Sequence, residues 1–274
     1  NKATIFSTGK KWLIYTDKGY FSASRDGGDL LVFSNGITGY RIDQFAVRYN
    51  RPDIIYKNMN FGNKAIISHF KNYYYRRLKK LKINAKKFSG KIHVPKVTIV
   101  NKDIKGKSLT VNFTLKDTKY LIRSYNIYVN DVPIYRNRGK LLKKRYEKTS
   151  ENIELTSGVN KIEISCINEM GSESYRALLF ITYNKKIKGD LYFLGFGISK
   201  FKNKKLNLKY ASKDAVDLQN LMKKMKDGYK NIFTKIYTDK EVTVNNIINS
   251  KSFLKNTKVD DTVILFIAGH GLYE

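Results

Sequence analysis

The chain has 274 residues, with 53 Lys+Arg against 23 Asp+Glu for a formal charge of +30, 42% hydrophobic residues and one cysteine. That apolar content excludes a disordered chain, and the length suffices for two or three domains with cores of their own. The single cysteine excludes a disulfide framework.

The chain opens on Asn1 with no basic-then-apolar leader, and its longest apolar runs, such as 263–268, fall far short of a membrane span. Neither a signal peptide nor a membrane span is expected, so the expected location is cytoplasmic. Because Asn1 is not a natural start and the chain stops just after a strand and a His-Gly pair, it reads as a piece of a longer protein.

Residues 1–57 are β-rich. Short runs from Trp12 to Phe33 are broken at Asp17-Lys18-Gly19 and Asp26-Gly27-Gly28, which predict hairpins. In residues 58–94 the apolar side chains Ile66, Ile67, Phe70, Tyr73, Tyr74, Leu78 and Leu81 recur at three- and four-residue steps among Lys and Arg. This spacing predicts a basic amphipathic helix over 64–83.

No acidic residue occurs between Ile54 and Lys102, and a second basic cluster comprises Arg136, Arg138, Lys140, Lys143, Lys144 and Arg145. Clustered cations favour nucleic acid or another acidic surface, whereas a lysine-rich chain places cations on any solvated face; both readings stay open.

Residues 95–183 alternate apolar and polar at Leu109, Val111, Phe113 and Leu115, and again at Ile162, Ile164 and Cys166. Period-two strands separated by turns predict an antiparallel sandwich of immunoglobulin-like kind, with Cys166 as inert packing. After a linker at 184–189, strands alternate with helices. The continuous apolar run Leu191–Ile198 is a buried parallel strand, and Ser212 is expected to cap a helix carrying Ala215, Leu218, Met222 and Met225 on one face. A short strand at 232–237, a helix capped by Thr243 that buries Ile247, Ile248 and Leu254, and the strand Thr262–Ala268 complete a β-α-β-α-β order.

Open parallel sheets present working residues at the carboxyl ends of their strands, and here that place holds Gly269-His270-Gly271. A histidine there can exchange a proton near neutral pH. His69 and His93 have no Cys, Asp or Glu at ligand spacing, and Gly195-Phe196-Gly197 lacks the third glycine of a dinucleotide loop. No metal and no cofactor are therefore expected.

The first strand Leu191–Phe201, the segment Leu208–Ala215 and the stretch Asp260–Gly271 resemble, in that order, three motifs of caspase-like cysteine peptidases, including metacaspases and their bacterial relatives. The resemblance covers 190–274, about the N-terminal half of such a domain. More loosely, residues 1–57 resemble the end of a WD-repeat propeller region, as in bacterial proteins where an immunoglobulin-like segment precedes the peptidase.

The resemblance implies an α/β caspase-like sheet and a Cys-His dyad acting on a protein or peptide substrate. In that scheme His270 moves the proton, the N–H of Gly271 helps hold the oxyanion, and Asp214 lines a pocket for Arg or Lys before the cut, where its other reading is a carboxylate that only stabilises the helix N-terminus. The nucleophilic cysteine would lie downstream of Glu274, so this piece alone is expected to be inactive. The alternatives are a module binding nucleic acid or an acidic surface through helix 64–83, and an inactive caspase-like scaffold.

Overall fold

The computed structural model describes residues 3–88, 93–225 and 227–271. The chain forms two compact units, the first running through Ile153 and including Asn160–Ile181, the second comprising Glu154–Val159 and the described residues from Thr182 onward.

The first unit opens with β1 (Thr4–Ser7), β2 (Trp12–Tyr15) and β3 (Phe21–Ala23), a three-stranded antiparallel sheet. Gly19 turns the β2–β3 hairpin at φ +78°, a conformation that glycine adopts without steric cost. The second hairpin signal is corrected: Gly27–Leu30 is a 3-10 turn, and β4 (Val32–Asn35) pairs instead with β5 (Thr38–Arg41). The glycines serve close approach here, since a Cβ on Gly27 would lie 2.1 Å from the Trp12 carbonyl oxygen.

Two short helices follow, α1 (Ala46–Tyr49) and α2 (Pro52–Asn58), and then α3 (Lys64–Leu81). Asn63 caps α3 by accepting from the Ile66 N–H, and Lys82 ends it at φ 54° while the Ile83 N–H bonds back to the Leu78 carbonyl. Tyr74, Leu78 and Leu81 pack with Val47 and Ile83. Ile66 and Tyr73, expected on that face, are exposed. Tyr73 sits about 100° round the helix from Tyr74, and close burial is confined to the C-terminal half. Arg51, paired with Asp53 at 2.7 Å, lays its guanidinium 4.0 Å over the Tyr74 ring and joins α3 to the N-terminal segment.

The remaining strands of this region are β6 (Lys96–Lys105), β7 (Ser108–Lys116), β8 (Ile122–Val129), β9 (Val132–Pro133), β10 (Lys140–Lys144), β11 (Tyr146–Glu154), β12 (Gly158–Asn168) and β13 (Ala177–Tyr183). They make two sheets, ordered β11-β7-β6 and β10-β8-β12-β13, with β9 added to β8. Inward residues at period two build the shared core: Leu109, Val111, Phe113 and Leu115 from one sheet, Ile127, Ile162, Ile164 and Cys166 from the other. Phe113 meets Tyr125 edge-on across the sandwich at 5.6 Å. Cys166 is fully buried, its N–H donates to Ser174 Oγ at 3.1 Å, and burial pushes its thiol up to about 12.

The second unit is β14 (Leu191–Gly197), α4 (Ala211–Lys224), β15 (Ile232–Thr238), α5 (Val244–Asn249) and β16 (Thr262–Ala268). The three strands are parallel in the order β15-β14-β16, and every residue of β14 is buried. Met222 packs with Leu191 and Phe193, and Leu218, Ile264 and Phe266 lie against that cluster. Met225 falls past the end of α4 and is exposed.

Thr243 does cap α5, accepting from the Asn246 N–H. The helix stops after six residues, however, and Ile247 and Ile248 are exposed rather than buried. The Ser250 hydroxyl donates to the Ile247 carbonyl where the chain tightens into a 3-10 turn, a local bond that competes with continuing the helix. Among the described residues no helix is long and apolar enough to cross a membrane.

The buried thiol makes the sandwich testable. Cys166 should resist a thiol reagent in the native protein at neutral pH and react at the rate of a free thiol once urea unfolds the chain; rapid native labelling, followed by mass spectrometry, would contradict the packing.

Candidate histidine site at the carboxyl edge of the parallel sheet

The three parallel strands end together, and side chains just beyond them tie the ends to one another. Asp239, immediately after β15, takes φ 47°, which a short polar residue tolerates. Its Oδ1 accepts from the backbone N–H groups of Ser199 at 2.7 Å and Lys200 at 2.9 Å, so one carboxylate holds the chain leaving β14. The loop that follows closes on itself, with the Leu208 N–H bonded to the Ser199 carbonyl and the Phe201 N–H to Asn207 Oδ1.

Helix α4 begins close against this loop. A Cβ on Gly197 would lie 2.5 Å from the Ala211 carbonyl oxygen, so this glycine is required for the strand and helix to meet. The expected cap is corrected here. Ser212 lies inside the first turn, and the acceptor for its N–H is Ser199 Oγ at 2.9 Å, which also receives the Ser212 hydroxyl at 2.7 Å. A side chain from the strand end therefore satisfies a free helix N–H that the local sequence leaves open.

His270 follows β16 by two residues and is exposed at this edge. Its Nε2 lies 2.8 Å from the Leu206 carbonyl oxygen. A carbonyl can only accept, so Nε2 donates its hydrogen, and in the neutral ring Nδ1 is left as the acceptor. The Phe201 ring, centroid 5.2 Å from the imidazole, packs beside it. One loop thus supplies both the bond that selects the tautomer and the surface that limits ring rotation. The arrangement can accept a proton at Nδ1 and return it to a group at the sheet edge.

Asp214 is in the first turn of α4, on the same carboxyl edge, with its side chain exposed. Gly271 is exposed, and a Cβ there would meet nothing within 4 Å. Sequence reasoning missed Ser199, Phe201, Leu206 and Asp239. The local signal was a serine and an aspartate directly after two strands, positions where sheet ends are commonly bound together.

The other two histidines have different surroundings. His69 is exposed on α3. His93, without an acidic neighbour in sequence, sits 3.0 Å from the buried Asp117, whose Oδ1 also accepts from the N–H groups of Lys119 and Tyr120. That carboxylate organises the β7–β8 turn. Among the described residues no group of three or more His, Cys, Asp or Glu side chains is placed to hold a metal.

No family model matches the chain, and no curated protein matches it. Among solved structures, OgpA from Akkermansia muciniphila is similar at 19% identity over 35% of this chain and 30% of that one, with a TM-score of 0.28. The fibronectin(III)-like modules of Clostridium thermocellum CbhA are similar at 15% identity over 34% of this chain and 48% of theirs, TM-score 0.28. The PKD domain of an M14-like peptidase from a Thermoplasmatales archaeon is similar at 17% identity over 34% of this chain and 94% of that domain, TM-score 0.27. Likenesses this distant carry no argument about activity.

Replacing Ser199 by Ala should cost about 1 kcal/mol of stability, because it removes the acceptor at the start of α4. Urea unfolding followed by circular dichroism measures it, and an unchanged midpoint would show that the Ser199 hydroxyl does not cap the helix.

Proposed function

We propose that the parallel α/β unit is the histidine-bearing part of a caspase-like cysteine endopeptidase domain, following a sandwich of immunoglobulin-like kind. The observation that carries this reading is the His270 Nε2 to Leu206 carbonyl bond at the carboxyl edge of the sheet. It leaves Nδ1 to take a thiol proton and later deliver it to the leaving amine. The strand order β15-β14-β16, with the histidine after the third strand, supports the same reading.

The thiolate would come from a cysteine outside these residues, since Cys166 belongs to the sandwich core. In the reaction the sulfur bonds to the substrate carbonyl carbon as the peptide C–N bond breaks and the amine leaves with the proton from His270. Water then cleaves the thioester, with the same imidazole as its base.

One face of β16 supports a larger domain. Val263, Leu265 and Ile267 are 45%, 58% and 70% exposed, whereas β14 is buried on both faces. Parallel sheets bury both faces, so a further strand and helix would cover this row.

In the polypeptide that joins this unit to its cysteine strand, His270→Ala should lower kcat for peptide cleavage at least ~1,000-fold with the circular dichroism spectrum unchanged. Retained turnover would remove His270 from the mechanism, and a parent chain without such a cysteine would leave an inactive scaffold. Asp214, a carboxylate at the same edge, should favour substrates with Arg or Lys before the cut. Asp214→Ala should abolish that preference, measured as a ratio of kcat/KM values, and efficient cleavage after Asp by the unaltered enzyme would contradict the assignment.

A further inference from the structure

The two basic runs of the sequence lie far apart along the chain but meet in the first unit. Lys82 and Lys87, from the end of α3 and the 3-10 turn after it, line a 240 Å³ cleft together with Arg123 of β8 and Lys143 of β10. Lys82, Arg123 and Lys143 also line an adjoining 540 Å³ groove floored by Leu141 and Leu142.

The carboxylate at the cleft, Glu169, already accepts from the Leu121 N–H at 3.1 Å. Arg123 is held by its own bond to the Lys82 carbonyl at 2.6 Å. Lys82, Lys87 and Lys143 are exposed and make no ion pair among the described residues. Another cleft of the same unit, 580 Å³ in volume, differs in this respect. Three of its four cations are matched by carboxylates: Arg41 with Asp43, Lys161 with Asp131 and Arg176 with Glu163.

Helix α3 extends the basic cleft. Lys71, Tyr75 and Lys79 follow one another at four-residue steps and form one stripe, and Lys82, three residues on at the left-handed end of the helix, lines the cleft. Tyr75 is 51% exposed, and the Tyr74 ring braces it edge-on at 5.3 Å. An exposed, positioned aromatic ring within a track of exposed cations combines a surface for base stacking with phosphate attraction.

We infer that this cleft and the Lys71–Tyr75–Lys79 stripe bind single-stranded nucleic acid, with backbone phosphates on Lys82, Lys87 and Lys143 and a base on Tyr75. This site is independent of the peptidase reading. A rigid duplex keeps its bases stacked internally and gives Tyr75 no open face, which favours the single strand.

Fluorescence anisotropy of labelled oligothymidylate with the 274-residue chain tests the assignment. Each phosphate contact should add about −0.7 to the slope of log K against log salt, so K82Q/K87Q/K143Q should flatten that slope by about 2. Arg123 is left unaltered because it bonds to backbone. Tyr75→Ala should weaken binding about tenfold with the slope unchanged. K185Q/K186Q/K188Q, which removes equal charge from the linker, should change the slope little.

Equal flattening by the linker variant would overturn the site and leave only attraction by net charge. Tighter binding of a duplex of equal length, full affinity in Tyr75→Ala, or preferential binding to phosphatidylcholine–phosphatidylserine vesicles would overturn the single-strand assignment. Near-ultraviolet circular dichroism of each variant establishes that it is folded.

Discussion

The second unit depends on one strand that has no polar face. Every residue of Leu191–Gly197 is buried, so β14 is stable only with a hydrogen-bonded strand on each side and cover on both faces. Gly197 lets α4 approach closely enough to supply part of that cover, and Ser199 then satisfies the start of the same helix. The requirements of burial thereby bring the ends of three strands and the start of a helix to one edge. The histidine arrangement is a consequence of that convergence, since Leu206 and Phe201 sit on the loop Asp239 anchors.

The same edge shows how a chemical property can arise without a titratable partner. Among the described residues, His270 is oriented by a backbone carbonyl and an aromatic ring, not by a carboxylate. A carbonyl selects the tautomer because it cannot donate, and it adds no negative charge. The nitrogen left to accept is thereby selected by geometry.

The first unit handles its excess positive charge unevenly. Arg51 and Arg77 are drawn inward over the Tyr74 ring, Arg51 paired with Asp53 and Arg77 donating to the Asn50 carbonyl while its buried Nε has no partner among the described residues. Lys140 is bound to Glu151, and Tyr125 and Tyr135 donate to the same carboxylate, which holds Glu151 below its ordinary range although burial opposes this. Lys82, Lys87 and Lys143 have no such partners among the described residues and share one concavity. Like charges gathered in a cleft repel one another, and a bound polyanion relieves that repulsion.

The local patterns were legible in the chain itself. Alternation at Leu109–Leu115 and Ile162–Cys166 marked strands, the unbroken apolar run at 191–198 marked a doubly buried one, and helical spacing marked α3, because each rests on a periodicity set by neighbouring residues. Placement between distant segments was not legible. That Ser199 rather than Ser212 serves the start of α4, that Ile247 and Ile248 face outward, that Asp117 meets His93, and that two basic runs converge on one cleft were decided by tertiary structure. Hydrogen bonds and charges act over a few ångströms in space, and sequence separation carries no record of which distant groups the packing of apolar faces brings within that range.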